Sequence, residues 1–427
     1  MEIKHYETLG ETVVHHECDN GLDVYCVLKP GFNKKFVSYT TKYGSMDDHF
    51  IVNNEEVRVP DGIAHFLEHK MFEKEDGDVF QHFGKNGANA NAFTTYDRTS
   101  YLFSTTTELY NNLQILMDMV ENPYFTAETV EKEVGIIEEE LKMYLDDPDF
   151  RSYMELLKGM YHVSPLKNDI GGSIDSIKEI THDHLYTCHA TFYHPSNMVL
   201  IIVGDVDYKS VIDFVDAHQT KRGLDNNHTI ERLLPTEPSE VVTPYMELTM
   251  DVSETKVTLG YKSTSGSLSP KETLKKDMTM MLALDLVFGA QSPYFYALEE
   301  KGLIDDSFSY MHAEEVDYSY SVFSVNTHQV DAFVSEINAI IDKVKHGAFF
   351  NEEMLMLKKR EVIGDFLSSL NSPEYVAMQY TKFKLDGVDL FAVLEVIDDI
   401  TLSDIESAFA STLDSDYQVV SVVKPND

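Results

Sequence analysis

The chain has 427 residues, more than one ordinary core needs, and its 43% hydrophobic and 11% aromatic content excludes a disordered chain. Lys plus Arg number 34 against 73 Asp plus Glu, a formal net charge of −39, so most of the surface repels a phosphate backbone and no nucleic-acid partner is expected. Three scattered cysteines, Cys18, Cys26 and Cys188, make neither a disulfide framework nor a CxxC metal clip, and the chain has no apolar run of about 18 residues. Together with an N-terminal MEIKHYETLG that lacks an apolar segment, this gives the expectation of a cytoplasmic protein with no membrane partner.

Along the chain, 21–28 and 35–40 alternate around a Gly and Asn turn, as a strand pair does. From Gly62 to Phe72 the apolar spacing turns helical, with Ile63, Phe66, Leu67 and Met71 on one side after a Pro60-Asp61 start signal. A Gly and Asn-rich connection (84–91), a strand at 99–106, helices at 108–120 and 127–145 and a strand at 197–203 follow. Residues 219–243 are polar, carry two prolines and read as a connector, dividing the chain into domains 1–218 and 244–427.

A weak internal repeat supports that division. Ser100-Tyr101-Leu102-Phe103-Ser104, a helix, Tyr124-Phe125 and a charged helix return as Ser321-Val322-Phe323-Ser324, a helix, Phe349-Phe350 and a charged helix. Laying Phe125 on Phe350 sets Glu133 opposite Lys358 and Glu140 opposite Asp365, so the chemistry is expected in the first half alone.

The helix at 62–72 carries His65-Phe66-Leu67-Glu68-His69, an H-x-x-E-H pattern. Histidines four apart stack on one helix face, so both imidazoles can reach a single cation, and Glu68 borders that face without having to be a ligand. Zn2+ lowers the pKa of its water towards about 7, and a neighbouring carboxylate can take the proton. A catalytic zinc site takes three protein ligands. In the helix 127–145, Glu133 and Glu140 are seven residues apart and share a stripe with Ile136 and Ile137, whereas Glu138 and Glu139 point away. Glu140 is the expected ligand and Glu133 its supporting acid. Histidine pairs on helices are commonly plain surface residues, and a run of glutamates is commonly a solvated face; the conjunction of the two patterns is what points to a metal. The remaining clusters, His15-His16, His182, His184 and His189, read as ordinary polar histidines.

At these residues the chain resembles the pitrilysin/insulinase family of inverted-motif zinc peptidases, which includes mitochondrial processing peptidase and the bacterial subunits similar to it. Besides the two helices, Asn91-Ala92-Phe93-Thr94 resembles the family's substrate-binding strand, and Tyr193-His194-Pro195-Ser196-Asn197-Met198 with Gly204-Asp205 is similar to a later strand. The resemblance implies an α+β fold of two homologous domains, each an antiparallel sheet with helices packed on one face. It also implies Zn2+ on His65, His69 and Glu140, Glu68 as general base, and peptide substrates enclosed in a chamber of four such domains. This chain has length for two, so a partner of similar size is expected. The family's substrate-holding Arg and Tyr correspond to Glu299 and Asp305, with Tyr310 nearby, which favours a heterodimer with a related metal-free subunit over a homodimer. The function expected is a zinc metalloendopeptidase acting on peptides or unfolded segments, and the alternative is a non-catalytic subunit that only captures peptides.

Overall fold

The computed structural model describes residues 1–75, 77–264, 266 and 268–426. The chain runs through strands β1 (Glu2–Tyr6), β2 (Glu11–Glu17), β3 (Asp23–Leu28) and β4 (Lys35–Thr41), then helix α1 (Ile63–Met71). Strands β5 (Asn89–Thr94) and β6 (Thr99–Thr105) lead to helices α2 (Leu109–Glu121), α3 (Ala127–Leu145), α4 (Pro148–Met160) and α5 (His182–Phe192). After β7 (Met198–Gly204) and α6 (Tyr208–Arg222) come β8 (Tyr245–Met250), β9 (Lys256–Ser263) and α7 (Pro270–Phe288). The chain ends with β10 (Ser309–Glu314), β11 (Ser319–Asn326), α8 (Val330–His346), α9 (Glu352–Ser369), α10 (Pro373–Leu385) and β12 (Gln418–Pro425).

Two compact units result. Unit 1 comprises Met1–Leu141, Asn168–Pro235 and Leu367–Leu390; unit 2 comprises Lys142–Lys167, Thr236–Phe366 and Phe391–Asp427. The division therefore does not fall simply at the connector 219–243. Gln219 to Arg222 complete helix α6, and Glu231–Arg232 pair with the strand His49–Val52, so the front of that stretch belongs to unit 1.

Unit 1 holds a seven-stranded sheet in the order β1-β2-β3-β7-β4-β6-β5, antiparallel except where β7 runs parallel to β3. β7 reads Met198-Val-Leu-Ile-Ile-Val-Gly204 because it is central and buried on both faces, which removes the usual alternation. In β4 the pleat is visible: Val37 and Tyr39 join the core with Phe66, Leu67 and Met71 of α1, while Ser38 faces the other way and its hydroxyl meets Thr381 of α10 at 2.9 Å. Besides the helices on its core face, the sheet thus carries α10, supplied from the C-terminal half, on the opposite face. Lys29 fixes the start of that segment through the carbonyl of Leu370 at 2.8 Å.

Unit 2 repeats the plan. Its sheet order is β8-β12-β9-β11-β10, with β8 and β12 parallel and the other pairs antiparallel. Position by position this matches β3-β7-β4-β6-β5, the parallel pair included. Helix α4 comes from the N-terminal half and packs on β9 as α10 packs on β4: Ser152 meets Thr258 at 2.7 Å, and a Cβ on Gly260 would lie 2.1 Å from Met160 Cε, so the Met160 side chain would have to shift to admit one. The internal repeat in the sequence corresponds to this shared topology.

Within unit 1, His189 of α5 is buried, bonds the Val120 carbonyl through Nε2 at 2.9 Å and stacks on Tyr193. Burial pushes its pKa down to about 4, against the pull of the Val120 carbonyl, so the folded state keeps the ring neutral. The unfolded state takes up a proton as pH falls below about 6.5, so this contribution to stability is complete above that value and is lost as pH falls to about 4. The stability advantage of wild type over His189→Gln, measured by urea unfolding, is expected to shrink by up to about 3 kcal/mol between pH 7 and pH 4. A pH-independent difference would refute it.

Candidate metal centre

Helix α1 is set by its N-terminus. Gly62, at φ 87°, caps it in a left-handed conformation, and a Cβ there would lie 2.3 Å from the Gly171 carbonyl oxygen, so the approach of the 171–172 backbone demands glycine. Ile63, Phe66, Leu67 and Met71 anchor the helix in the core, which turns His65 and His69 together towards α3, their rings 4.6 Å apart.

On α3 the buried stripe is Val130, Glu133, Ile137 and Leu141. Ile136, expected on that stripe, is 48% exposed, because the face turns along the i+4 row from Glu133 to Ile137 and Leu141 and leaves the i+3 position outside. Glu140 remains at the border and faces α1. Its Oε1 lies 3.7 Å from His65 Nε2 and its Oε2 lies 3.4 Å from His69 Nε2. These separations are long for hydrogen bonds but suit the edges of a zinc tetrahedron, where donors at about 2.0–2.2 Å from the ion stand about 3.3–3.6 Å apart. His65, His69 and Glu140 offer ligand atoms that all lie within 4.8 Å of one another.

The surroundings orient the donors. Glu133 Oε1 accepts from His69 Nδ1 at 3.1 Å, which leaves Nε2 with its lone pair towards Glu140. Burial opposes protonation of His69, but the Glu133 bond and the charges of Glu68, Glu133 and Glu140 outweigh it and raise its pKa. His65 is pushed the other way, down to about 3, by burial and by its neighbour His69, so its ring is neutral, the form that binds a metal. Its buried Nδ1 has no hydrogen-bond partner among the described residues. Glu68 stands outside the donor set. Its carboxylate accepts from the Thr94 hydroxyl at 2.7 Å, and burial raises its pKa despite that bond.

Two features escaped the sequence reading. Lys70 is fully buried, bonds the carboxylate of Glu73 and the Thr129 carbonyl at 3.3 Å, and lies 3.9 Å from Glu133 Oε2, so one ammonium ties α1 to α3 beside the acid that orients His69. A lysine inside the apolar face of an amphipathic helix was the available signal. Thr94 was placed on a substrate strand, and its hydroxyl reaches Glu68 as well. Asn91, Ala92, Phe93 and Thr94 lie on β5, at the edge of the sheet next to α1.

Among the described residues, unit 2 has no such donor set. At the position matching Glu133, Lys358 of α9 sends its ammonium to Asp285 of α7 at 2.6 Å and to Glu361 at 2.9 Å. Tyr310 is held on the same Asp285, 2.5 Å from Oδ1. A side-chain cation stands where unit 1 gathers metal donors. Glu299 is exposed on a helix over Pro293–Glu300, and Asp305 caps the next turn through Ser307.

Residues 54–174 match the family model described as Insulinase (Peptidase family M16), and residues 179–360 match the Peptidase M16 inactive domain. An uncharacterised zinc protease of Bacillus subtilis (strain 168), YmfH, is 43% identical over 422 residues, 98% of each chain. The chain belongs to the M16 peptidase family. Among solved structures, a putative M16-like peptidase from Alicyclobacillus acidocaldarius superposes on this M16 chain with a TM-score of 0.93 at 33% identity, covering 97% of this chain and 99% of that one. Pitrilysin shares the fold at a TM-score of 0.78 and 16% identity, where 99% of this M16 chain corresponds to 46% of the pitrilysin chain. Among its described residues no helix is long and apolar enough to cross a membrane.

Proposed function

We propose that this chain is a zinc-dependent endopeptidase that hydrolyses peptides or unfolded segments, with His65, His69 and Glu140 as the metal ligands and Glu68 as the general base. The observation that carries the reading is the convergence of three donors from two helices at near-tetrahedral spacing, with a buried acid, Glu68, outside the donor group and bonded by Thr94. Bound there, Zn2+ would polarise the scissile carbonyl and acidify water. The residues supply the rest. Glu68, made more basic by burial, takes the proton of the attacking water and can return it to the leaving amine. Glu133 keeps His69 in the donor tautomer, and Lys70 balances the charge of Glu133.

The edge strand β5, with Asn91, Ala92, Phe93 and Thr94, is the proposed substrate-binding element. An extended peptide can add to such an edge through main-chain hydrogen bonds, which a folded substrate cannot offer. The correspondence of this chain to about half of the pitrilysin chain, 46% of it, supports a partner of similar size that completes a chamber. With Glu299 and Asp305 in place of Arg and Tyr, a heterodimer with a related metal-free subunit is preferred to a homodimer, in the cytoplasm. The second reading, a subunit that captures peptides without cleaving them, draws support from the inactive-type second half, whose cluster is closed by Lys358.

One assay separates the two. The zinc-loaded chain, with and without co-purifying partner, is offered an unstructured peptide and the same sequence inside a stably folded domain. Turnover of the free peptide only is expected. Stoichiometric binding without turnover at saturating zinc would favour the capture reading and overturn the peptidase.

A further inference from the structure

A second group of metal-type donors lies in unit 1, on residues outside the centre described above: His16, Cys18 and Asp216, whose ligand atoms fall within 4.8 Å of one another. The fold brings them together for a simple reason. His16 is on β2 and Cys18 follows it by two residues, so an extended chain turns both to one face, towards helix α6. His15, between β1 and β3, turns the other way, where Asp23 holds it at 2.6 Å and Tyr25 stacks on it. Cys18 is pinned by a turn in which its N–H bonds the Leu22 carbonyl at 2.9 Å, and only 4% of it is exposed. On α6, Val211, Ile212 and Val215 are buried, and Asp216, one turn after Ile212, stands at the rim of that face.

We propose that His16, Cys18 and Asp216 form a binding site for a thiophilic divalent transition ion of the zinc class, which clamps the N-terminal strands to helix α6. The donor chemistry selects that class: imidazole, thiolate and carboxylate together suit Zn2+ and Co2+, whereas Mg2+ and Ca2+ prefer oxygen alone. The geometry is close to what is needed. His16 Nε2 and Asp216 Oδ1 stand 2.8 Å apart as a hydrogen-bonded pair, and must open by less than 1 Å to reach the tetrahedral spacing of about 3.3–3.6 Å. The imidazole is held at one nitrogen only, since its buried Nδ1 has no hydrogen-bond partner among the described residues. Access comes from the helix side, where the Asp216 side chain is 40% exposed. Cys26 and Cys188 are fully buried and lie outside the donor group, so Cys18 is the thiol available to a cation.

The sulfur makes the test specific, because the His65, His69 and Glu140 set contains none. The full-length chain, stripped by chelation and titrated with Co2+, is expected to bind two equivalents and to develop a near-ultraviolet thiolate-to-cobalt charge-transfer band. Cys18→Ser should lose the band and one equivalent. Asp216→Asn, at a partly exposed position that the core does not depend on, should weaken that equivalent at least about tenfold with an unchanged circular dichroism spectrum. His65→Ala should lose the other equivalent and keep the band. Absence of the band at saturating Co2+ in wild type leaves only a His16–Asp216 hydrogen bond and overturns the site, as does a band that persists in Cys18→Ser or an unaltered affinity in Asp216→Asn.

Discussion

Glu68→Gln is expected to bind zinc as wild type does, to fold with unchanged stability and to lose peptide cleavage by about 10²–10⁴-fold, the range that positioned general bases contribute. The variant isolates one function because Glu68 is outside the donor group, which is made by His65, His69 and Glu140. The amide keeps the shape of the side chain and can still accept from Thr94, now at 2.7 Å from the carboxylate, so the wall of the site is preserved. What disappears is a basic oxygen able to receive the proton of the attacking water. The loss should fall on kcat, since the role proposed for Glu68 is on the reacting water and not in binding the substrate. Metal content by mass spectrometry and steady-state cleavage of an unstructured peptide decide the matter. A variant with full zinc and full activity would remove Glu68 from the mechanism.

Glu140→Gln should have the larger effect on the metal. The two imidazoles come from one helix, and Glu140 is the proposed donor from the second, so its removal would leave a two-ligand site from which zinc is expected to be lost on dialysis. Cleavage should fall to background at ambient zinc. Glu133→Gln is the graded companion. It leaves all three donors and weakens the hold on the His69 tautomer, for which about a 10–100-fold loss in zinc affinity is expected, with cleavage recovered by added zinc. An order in which Glu133→Gln loses the metal and Glu140→Gln retains it would show that the wrong glutamate has been assigned.

Much of unit 1 was legible because its elements follow local pattern. The helical spacing at 62–72 gives α1, and the strand read at 99–106 is β6. The 127–145 pattern coincides with α3. The meeting of His65, His69 and Glu140 was also readable, since it needs only two helix faces, each set by periods of four and seven residues. What failed to show depends on contacts between distant segments. Nothing local in 148–160 or 373–385 says that each helix packs on the sheet of the other half, because an amphipathic helix fits either face. Ile136 was placed on the buried stripe because i+3 and i+4 neighbours cannot be ranked before the partner helix is known. The group His16, Cys18 and Asp216 joins residues about 200 positions apart through an Nε2–Oδ1 pair, and the doublet His15-His16 reads as ordinary polar surface when its two members cannot be assigned to opposite faces of a strand.

The proposed peptidase requires one cation held jointly by α1 and α3. Crystals of the zinc-loaded chain, with data collected on both sides of the zinc absorption edge, test it most directly. An anomalous peak within about 2.0–2.2 Å of His65 Nε2, His69 Nε2 and a Glu140 oxygen is the predicted result, with Glu68 uncoordinated. A peak on the two histidines with the Glu140 carboxylate turned away, or none between these helices at full zinc loading, would contradict it.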